Sequence, residues 1–179
     1  KGVSYCTICD GALFGGRATV VAGYGNGAAK GALYLAGLDS SVTILCTKEA
    51  LKAEQTYMKR IEESRNIKIF YNVTIKEIVG EDRVAGVIFI DNEGKTNELK
   101  VSAVFIEGGT TPNAALAKDL GIGLTKNGFI KVNRLNQATN IDGVFAAGDV
   151  TGGRRQIATA IGEGSSAAIS AVNWVRANK

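Results

Sequence analysis

Apolar and polar positions along this chain fall into two textures that meet near Gly109. In the first, short β-branched runs alternate with stretches of helical spacing. Arg17-Ala18-Thr19-Val20-Val21-Ala22 is an apolar run closed by glycine, which predicts a buried parallel strand. Apolar residues at helical spacing predict a helix over 29–38, and a second strand is expected over 41–45. The pattern continues with a helix over 48–63 and a strand over 67–71. Residues 73–79, 84–90 and 98–101 then alternate like an antiparallel meander, turning at Asp91-Asn92-Glu93-Gly94. Val104-Phe105-Ile106 returns as another buried strand, ending at Gly108-Gly109.

The second texture begins with Thr111-Pro112-Asn113, a turn holding the only proline. A short helix over 114–120 and a strand over 129–132 follow. Gly143-Val144-Phe145-Ala146-Ala147-Gly148-Asp149-Val150 predicts a short buried strand with an acid at its C-terminal end, where open α/β sheets bind ligands. Alanine-rich helical spacing runs from 156 to 179, through Trp174 to a basic tail. Two strands and one long helix make a poor independent core, so this part predicts half of a domain. The fold class is therefore α/β. A Rossmann-like three-layer domain with an inserted β-meander is expected over 1–107, and the C-terminal half of a second Rossmann-like domain over 108–179.

Composition narrows the class without changing it. Among 179 residues, 45% are apolar and 21% charged, enough for a sizeable core. No apolar run is long enough to cross a membrane as a helix. The opening Lys1-Gly2-Val3-Ser4 lacks the order of a signal peptide, and the only methionine is Met58, which suggests a piece of a longer protein. The formal charge of +4 is mild, and the longest basic runs are the pairs Lys59-Arg60 and Arg154-Arg155. That falls short of a nucleic-acid stripe, and neither a nucleic-acid nor a membrane partner is expected. Three unevenly spaced cysteines fit a reducing compartment, the cytoplasm.

Candidate chemistry starts after the first strand. Gly23-Tyr24-Gly25-Asn26-Gly27-Ala28 joins strand to helix, the context of a dinucleotide fingerprint. Gly23 would permit the tight turn, Gly25 would let the backbone approach a pyrophosphate, and Ala28 would allow close helix–sheet packing. The helix N-terminus would then face the phosphates. The plain alternative is an ordinary glycine-rich βα turn. At the end of the second strand an acid would favour NAD and basic residues NADP. Here stand Cys46, Thr47 and Lys48, with Lys52 expected one helical turn on, which leans towards NADPH; both lysines could equally be solvated charges. Cys46 reads as a small packed hydrophobe.

Cys6-Thr7-Ile8-Cys9-Asp10-Gly11 carries two cysteines at a spacing that can form and break a disulfide. A zinc site needs about four ligands; the chain has no histidine, and Cys46 is distant in sequence. A redox dithiol is favoured over a metal pair, with a structural pair third. Thiol–disulfide exchange needs a group to give and take a proton. Asp10 is the nearest titratable candidate, and it reads equally as a helix or turn cap.

The succession C-x-x-C-D-G, G-x-G-x-x-A, G-x-x-P-N, G-V-F-A-A-G-D and R-Q-I-A resembles the low-molecular-weight thioredoxin reductase family over essentially the whole chain. The resemblance implies an NADPH domain inserted into a split FAD domain, whose returning half would be 108–179 and whose first half this chain lacks. It implies electron flow from NADPH through FAD to a Cys6–Cys9 disulfide, and on to thioredoxin or a thioredoxin-like protein. Cys6 would attack the partner, Cys9 would face the flavin, and Asp10 would be the acid. Asp149, beside Gly148, would bind the ribityl chain; Arg155, Gln156 and Ile157 would approach the flavin ring; and Gly109 would belong to the returning turn. Hinges are implied at 1–4 and 108–109, and a homodimer for the full-length protein. Three departures stand out. Cys46, Thr47, Lys48 and Lys52 replace the family's His-Arg-Arg and following Arg, leaving NADH or a non-nicotinamide donor open. Glu107 stands where an apolar residue usually precedes the turn. The missing half-domain puts FAD binding by this chain in question. A peroxidase-feeding reductase and a nucleotide-binding redox sensor are the rival functions.

Overall fold

Val20 and Val21 are adjacent in the chain and fully buried, yet they belong to different cores on opposite faces of one sheet. Alternation of that kind builds the first unit. The computed structural model describes all 179 residues and divides them into Lys1–Gly109 and Thr110–Lys179. The division falls two residues beyond the expected 107/108 boundary.

In the first unit five strands form a parallel sheet: β1 (Val3–Ser4), β2 (Ala18–Gly23), β3 (Ser41–Leu45), β4 (Ile67–Phe70) and β8 (Ala103–Glu107). Their order is β1-β8-β2-β3-β4, so β2 is hydrogen-bonded on both sides. Helices α1 (Thr7–Asp10) and α2 (Asn26–Ala36) follow β1 and β2, and α3 (Gln55–Glu62) precedes β4. Between β4 and β8 the antiparallel meander β5 (Thr74–Val79), β6 (Gly86–Ile90) and β7 (Thr96–Lys100) forms its own sheet.

One face of the parallel sheet packs Val21, Val42, Ile44 and Phe105 against Ala28, Ala29, Ala32 and Leu35 of α2. The small residues of α2 let the helix lie close to the sheet. The opposite face packs Val20, Leu45 and Val104 against Val87 and Phe89 of the meander. Two faces and two partners give the three layers expected from the sequence. Each fully buried aliphatic side chain contributes about 1.5–3 kcal/mol relative to exposure.

Val3 and Ser4, within the expected hinge 1–4, pair with Val104 and Phe105 as a sheet edge. Two expectations for this unit are corrected. Helix α2 starts at Asn26 rather than residue 29, because Gly25 is already extended at the N-cap (φ −120°, ψ −168°). Residues 48–54 are not helical. Leu51 is buried in the core, the Lys52 amide donates to the Tyr24 carbonyl at 2.7 Å, and the Glu54 amide donates to Asn26 Oδ1 at 2.8 Å. These tertiary bonds hold Lys52 and Glu54 beside the glycine turn, and the helix begins only at Gln55.

The second unit holds α4 (Ala115–Asp119), α5 (Ile157–Ala177) and a small core around Ala114, Ala117, Ile122 and Ile130. Neither strand expected here forms. The 129–132 segment makes only the Leu124–Ile130 bridge, and the 143–150 segment only the Ala138–Phe145 bridge. Neither segment has a neighbouring strand within the unit, although the Ile130 amide donates to the Val150 carbonyl at 2.9 Å and so links the two. Side chains add further ties. Trp174 Nε1 donates to Asp142 Oδ1 at 2.8 Å, and Arg134 donates to Glu163 and Thr151.

Candidate active site

At the C-terminal end of β1 the chain turns sharply into the Cys6–Cys9 pair. Cys6 is the N-cap of α1 (φ −141°, ψ 96°), and its Sγ accepts a hydrogen bond from the Cys9 amide at 3.2 Å. The two sulfurs are bonded, with Cα atoms 5.2 Å apart. Cys6 is half-buried and Cys9 exposed. No cluster of three or more His, Cys, Asp or Glu side chains that could hold a metal is present. Cys46 is fully buried and free, with its thiol directed at the Lys48 and Ala50 carbonyls.

Asp10 closes the same turn. Its carboxylate accepts from the buried Ser4 hydroxyl at 2.6 Å, and its side chain makes no capping bond to the 3₁₀ turn that follows. Ser4 Oγ also accepts from the Cys6 amide at 3.1 Å. One hydroxyl at the end of β1 therefore orients the acid and the first cysteine together. Sequence reasoning did not single out Ser4; a serine two residues before the dithiol motif was the available signal.

The glycine turn lies in the same unit, between β2 and α2. Gly23 needs to be glycine because a Cβ there would lie 2.5 Å from the Glu107 carbonyl and 3.0 Å from Ala28 Cβ. Close packing, rather than a positive φ, is its requirement. A Cβ on Gly25 would meet nothing within 4 Å, so the backbone is open to an approaching group. No side chain caps α2. Asn26, by contrast, is engaged: its amide donates to Glu54 Oε1 at 2.8 Å while its oxygen accepts from the Glu54 amide.

Lys48 and Lys52 both reach this turn, although not from a helix. Lys48 Nζ lies 5.8 Å from the centre of the Tyr24 ring, within the range of a cation–π contact. Lys52 forms a parallel bridge with Gly25. Burial first, then electrostatic interaction with Cys46 and Glu62, pushes the Tyr71 phenol above its ordinary 10.0.

Glu107, at the end of β8, joins the two features. Its Oε1 accepts from the buried Thr7 hydroxyl at 2.7 Å, and its Oε2 lies 2.9 Å from where a Gly27 Cβ would be. Thr7 in turn sits on α2, its Oγ1 2.8 Å from the position a Gly31 Cβ would take. Sequence reading noted Glu107 only as a departure and missed Thr7 altogether.

In the second unit, Gly148 has a positive φ of 79° and donates its amide to Glu163 Oε2 at 2.8 Å. Thr151 Oγ1 donates to the Gly148 carbonyl at 2.9 Å. This clamp fixes the turn that displays Asp149, whose side chain is exposed. Arg155, Gln156 and Ile157 are exposed at the start of α5, and Arg155 donates to the Thr110 hydroxyl. Gly109 ends the first unit with φ 88° and open space around its missing Cβ.

The family profile of pyridine nucleotide-disulphide oxidoreductases matches residues 1–164. The chain belongs to this family. Individual members are similar over nearly its whole length. One of the subunits of alkyl hydroperoxide reductase from Staphylococcus aureus (strain NCTC 8325 / PS 47) is 36% identical, covering 99% of this chain and 35% of that protein. Thioredoxin reductase of Spironucleus barkhanus is also 36% identical, covering 99% of this chain and 59% of that protein. The crystal structure of thioredoxin reductase from Streptococcus pyogenes MGAS5005 superposes with a TM-score of 0.88 at 32% identity, covering 98% of this chain and 58% of that one. The chain thus spans between about a third and three-fifths of these relatives' lengths. The mixed α/β architecture, a parallel sheet with an added antiparallel one, is theirs as well.

Proposed function

We propose that the protein is a thioredoxin-disulfide reductase in which Cys6 and Cys9 pass two electrons from NADPH, by way of FAD, to thioredoxin or a thioredoxin-like protein. The observation that carries this reading is the dithiol turn itself. A bonded cysteine pair, with an aspartate held beside it by Ser4, occupies the same unit as a glycine turn open to a dinucleotide.

The nucleotide fits the residues present. The space at Gly25 and the uncapped start of α2 suit a pyrophosphate, and Gly23 and Ala28 keep the helix close enough to present its amides. Asn26 holds Glu54 and so braces the segment from which Lys48 and Lys52 reach the turn. The Lys48 ammonium beside Tyr24 favours a 2′-phosphate over a free hydroxyl. For the flavin, the exposed Asp149 carboxylate and the exposed Gln156 and Ile157 supply polar and apolar contacts of the right kinds. The chemistry supplied by a bound flavin is two-electron exchange with a nicotinamide on one side and a disulfide on the other.

From the dithiol state, the chain's own residues account for the exchange. The Cys9 amide, which donates to Cys6 Sγ, stabilises negative charge on that sulfur and makes Cys6 the nucleophile. Cys6 thiolate attacks one sulfur of the partner disulfide, whose S–S bond breaks, and the departing sulfur takes a proton. In this reading Asp10 gives the proton at this step and takes one from the Cys9 thiol. Cys9 then attacks Cys6, restoring the Cys6–Cys9 bond and releasing the second partner thiol. One partner disulfide becomes a dithiol as the enzyme's dithiol becomes a disulfide. A reducing cytoplasm is the setting in which such a pair turns over.

The test is NADPH-dependent reduction of thioredoxin by the intact protein. Cys6→Ser and Cys9→Ser should each lower kcat on the order of 10³-fold or more while nucleotide binding persists. Full activity in either variant overturns the reading, and tight NADPH binding with no turnover favours a redox sensor. Lys48→Ala should raise KM for NADPH more than for NADH; equal effects would make Lys48 a solvated charge and reopen NADH or another donor. The similarity to a component of the staphylococcal alkyl hydroperoxide reductase supports a second reading, a reductase serving a peroxidase partner. Turnover of a peroxidase disulfide in preference to thioredoxin would select it.

A further inference from the structure

Glu107 sets one carboxylate oxygen on the dithiol helix and the other beside the nucleotide turn. It is held on one side by Thr7, the residue between Cys6 and Ile8, through a 2.7 Å hydrogen bond. Thr7 is 2% exposed and wedged on Gly31 of α2, so neither the hydroxyl nor the helix beneath it has room to drift. On its other side the second carboxylate oxygen lies against Gly27, in the first turn of α2.

We infer that Glu107 is a positioning residue that links nucleotide occupancy of the glycine turn to the redox state of the Cys6–Cys9 pair. The inference rests on the nucleotide reading proposed above. Both events bring negative charge towards the same carboxylate. A pyrophosphate at the start of α2 repels Oε2 from the Gly27 side. Opening the disulfide consumes two electrons and leaves a Cys6 thiolate next to Thr7, which repels Oε1 from the other side. One carboxylate, pinned by one hydroxyl, cannot yield to both. Each event therefore makes the other less favourable, and by reciprocity the same factor acts in both directions. The consequence for catalysis is that the dithiol state loosens spent nucleotide, which is the order of events a reductase needs.

The experiment uses the intact protein and 2′-phospho-ADP-ribose, a probe that carries the pyrophosphate and cannot exchange electrons. Its affinity is measured calorimetrically for the disulfide form and for the dithiol form held by excess dithiothreitol, which donates the two electrons and closes to its own cyclic disulfide. Binding should be weaker to the dithiol form by about fivefold or more. Glu107→Gln, which keeps an acceptor for Thr7 but removes the charge, should bring that ratio close to one. Thr7→Val, which frees the carboxylate, should do the same, and Thr7→Ser, which keeps the hydroxyl, should preserve the ratio. A purely structural Glu107 would alter melting temperature without altering the ratio. Equal affinity for both forms of the unaltered protein overturns the inference and leaves the nucleotide reading standing. A ratio unchanged in both Glu107→Gln and Thr7→Val overturns the assignment to Glu107. Absence of binding to either form overturns the nucleotide reading and the inference with it.

Discussion

The two units use similar apolar runs and reach different ends. Val20-Val21-Ala22 in the first lies between β3 and β8, and its alternating side chains fill a core on each face. Val144-Phe145-Ala146 in the second is just as apolar, but it makes a single bridge and is only half-buried. Helix α5 shows the same contrast with α2. Five residues of α2 are buried, whereas α5 buries none and exposes Ile157, Ile161, Ile169, Val172 and Val175. A run of apolar residues specifies the capacity to be a strand, and neighbouring strands turn that capacity into one.

Substitutions can break or sharpen that contrast. The largest effect belongs to the first unit's core. Phe105→Ala removes a fully buried ring that meets Phe14 edge-on at 5.9 Å and should cost about 3–5 kcal/mol in urea unfolding. In the 179-residue chain Ile169→Ala should stay within about 0.5 kcal/mol, and a loss comparable to Phe105→Ala would erase the distinction between the units. Next is the point where the second unit is well packed. Gly143 has φ 74°, and a Cβ there would lie 2.8 Å from the Trp174 ring. Gly143→Ala should therefore destabilise by about 1–3 kcal/mol and shift tryptophan fluorescence. An unchanged spectrum would show that Trp174 does not anchor α5.

The smallest effect lies at the meander's turn. The Asn97 amide, foremost, together with the Lys95 and Glu93 amides and the Lys95 charge, holds the exposed Asp91 carboxyl below its ordinary 3.8. A lowered native pKa contributes stability that is complete above 3.8 and disappears as pH falls through the native value. Asn97→Ala should thus lower the melting temperature slightly at neutral pH, and the gap should close in acid below 3.8. A gap that persists there would assign the effect to packing.

The first unit was legible because its signals are local and agree with one another. β-branched strands, a glycine turn in the strand–helix context and small residues along α2 all specify one layer arrangement. Residues 48–54 were misread because the bonds that keep them from a helix come from Tyr24 and Asn26, far off in the chain. The dithiol and Asp10 were legible from spacing. Ser4, Thr7 and Glu107 were not: Ser4 because a serine two residues before the motif is a weak signal, and Thr7 and Glu107 because their bond joins residues a hundred positions apart. The brief strand β1 carried no periodic signal, being two residues long.

Counting thiols tests the central claim most directly. Of the three cysteines, only Cys46 is free while the Cys6–Cys9 bond is closed. The intact protein is treated anaerobically with NADPH, denatured, alkylated and weighed. The account predicts one alkylated cysteine before NADPH and three after it, the two new labels falling on Cys6 and Cys9. A count that stays at one, in protein shown to bind NADPH and flavin, would contradict electron transfer to this pair.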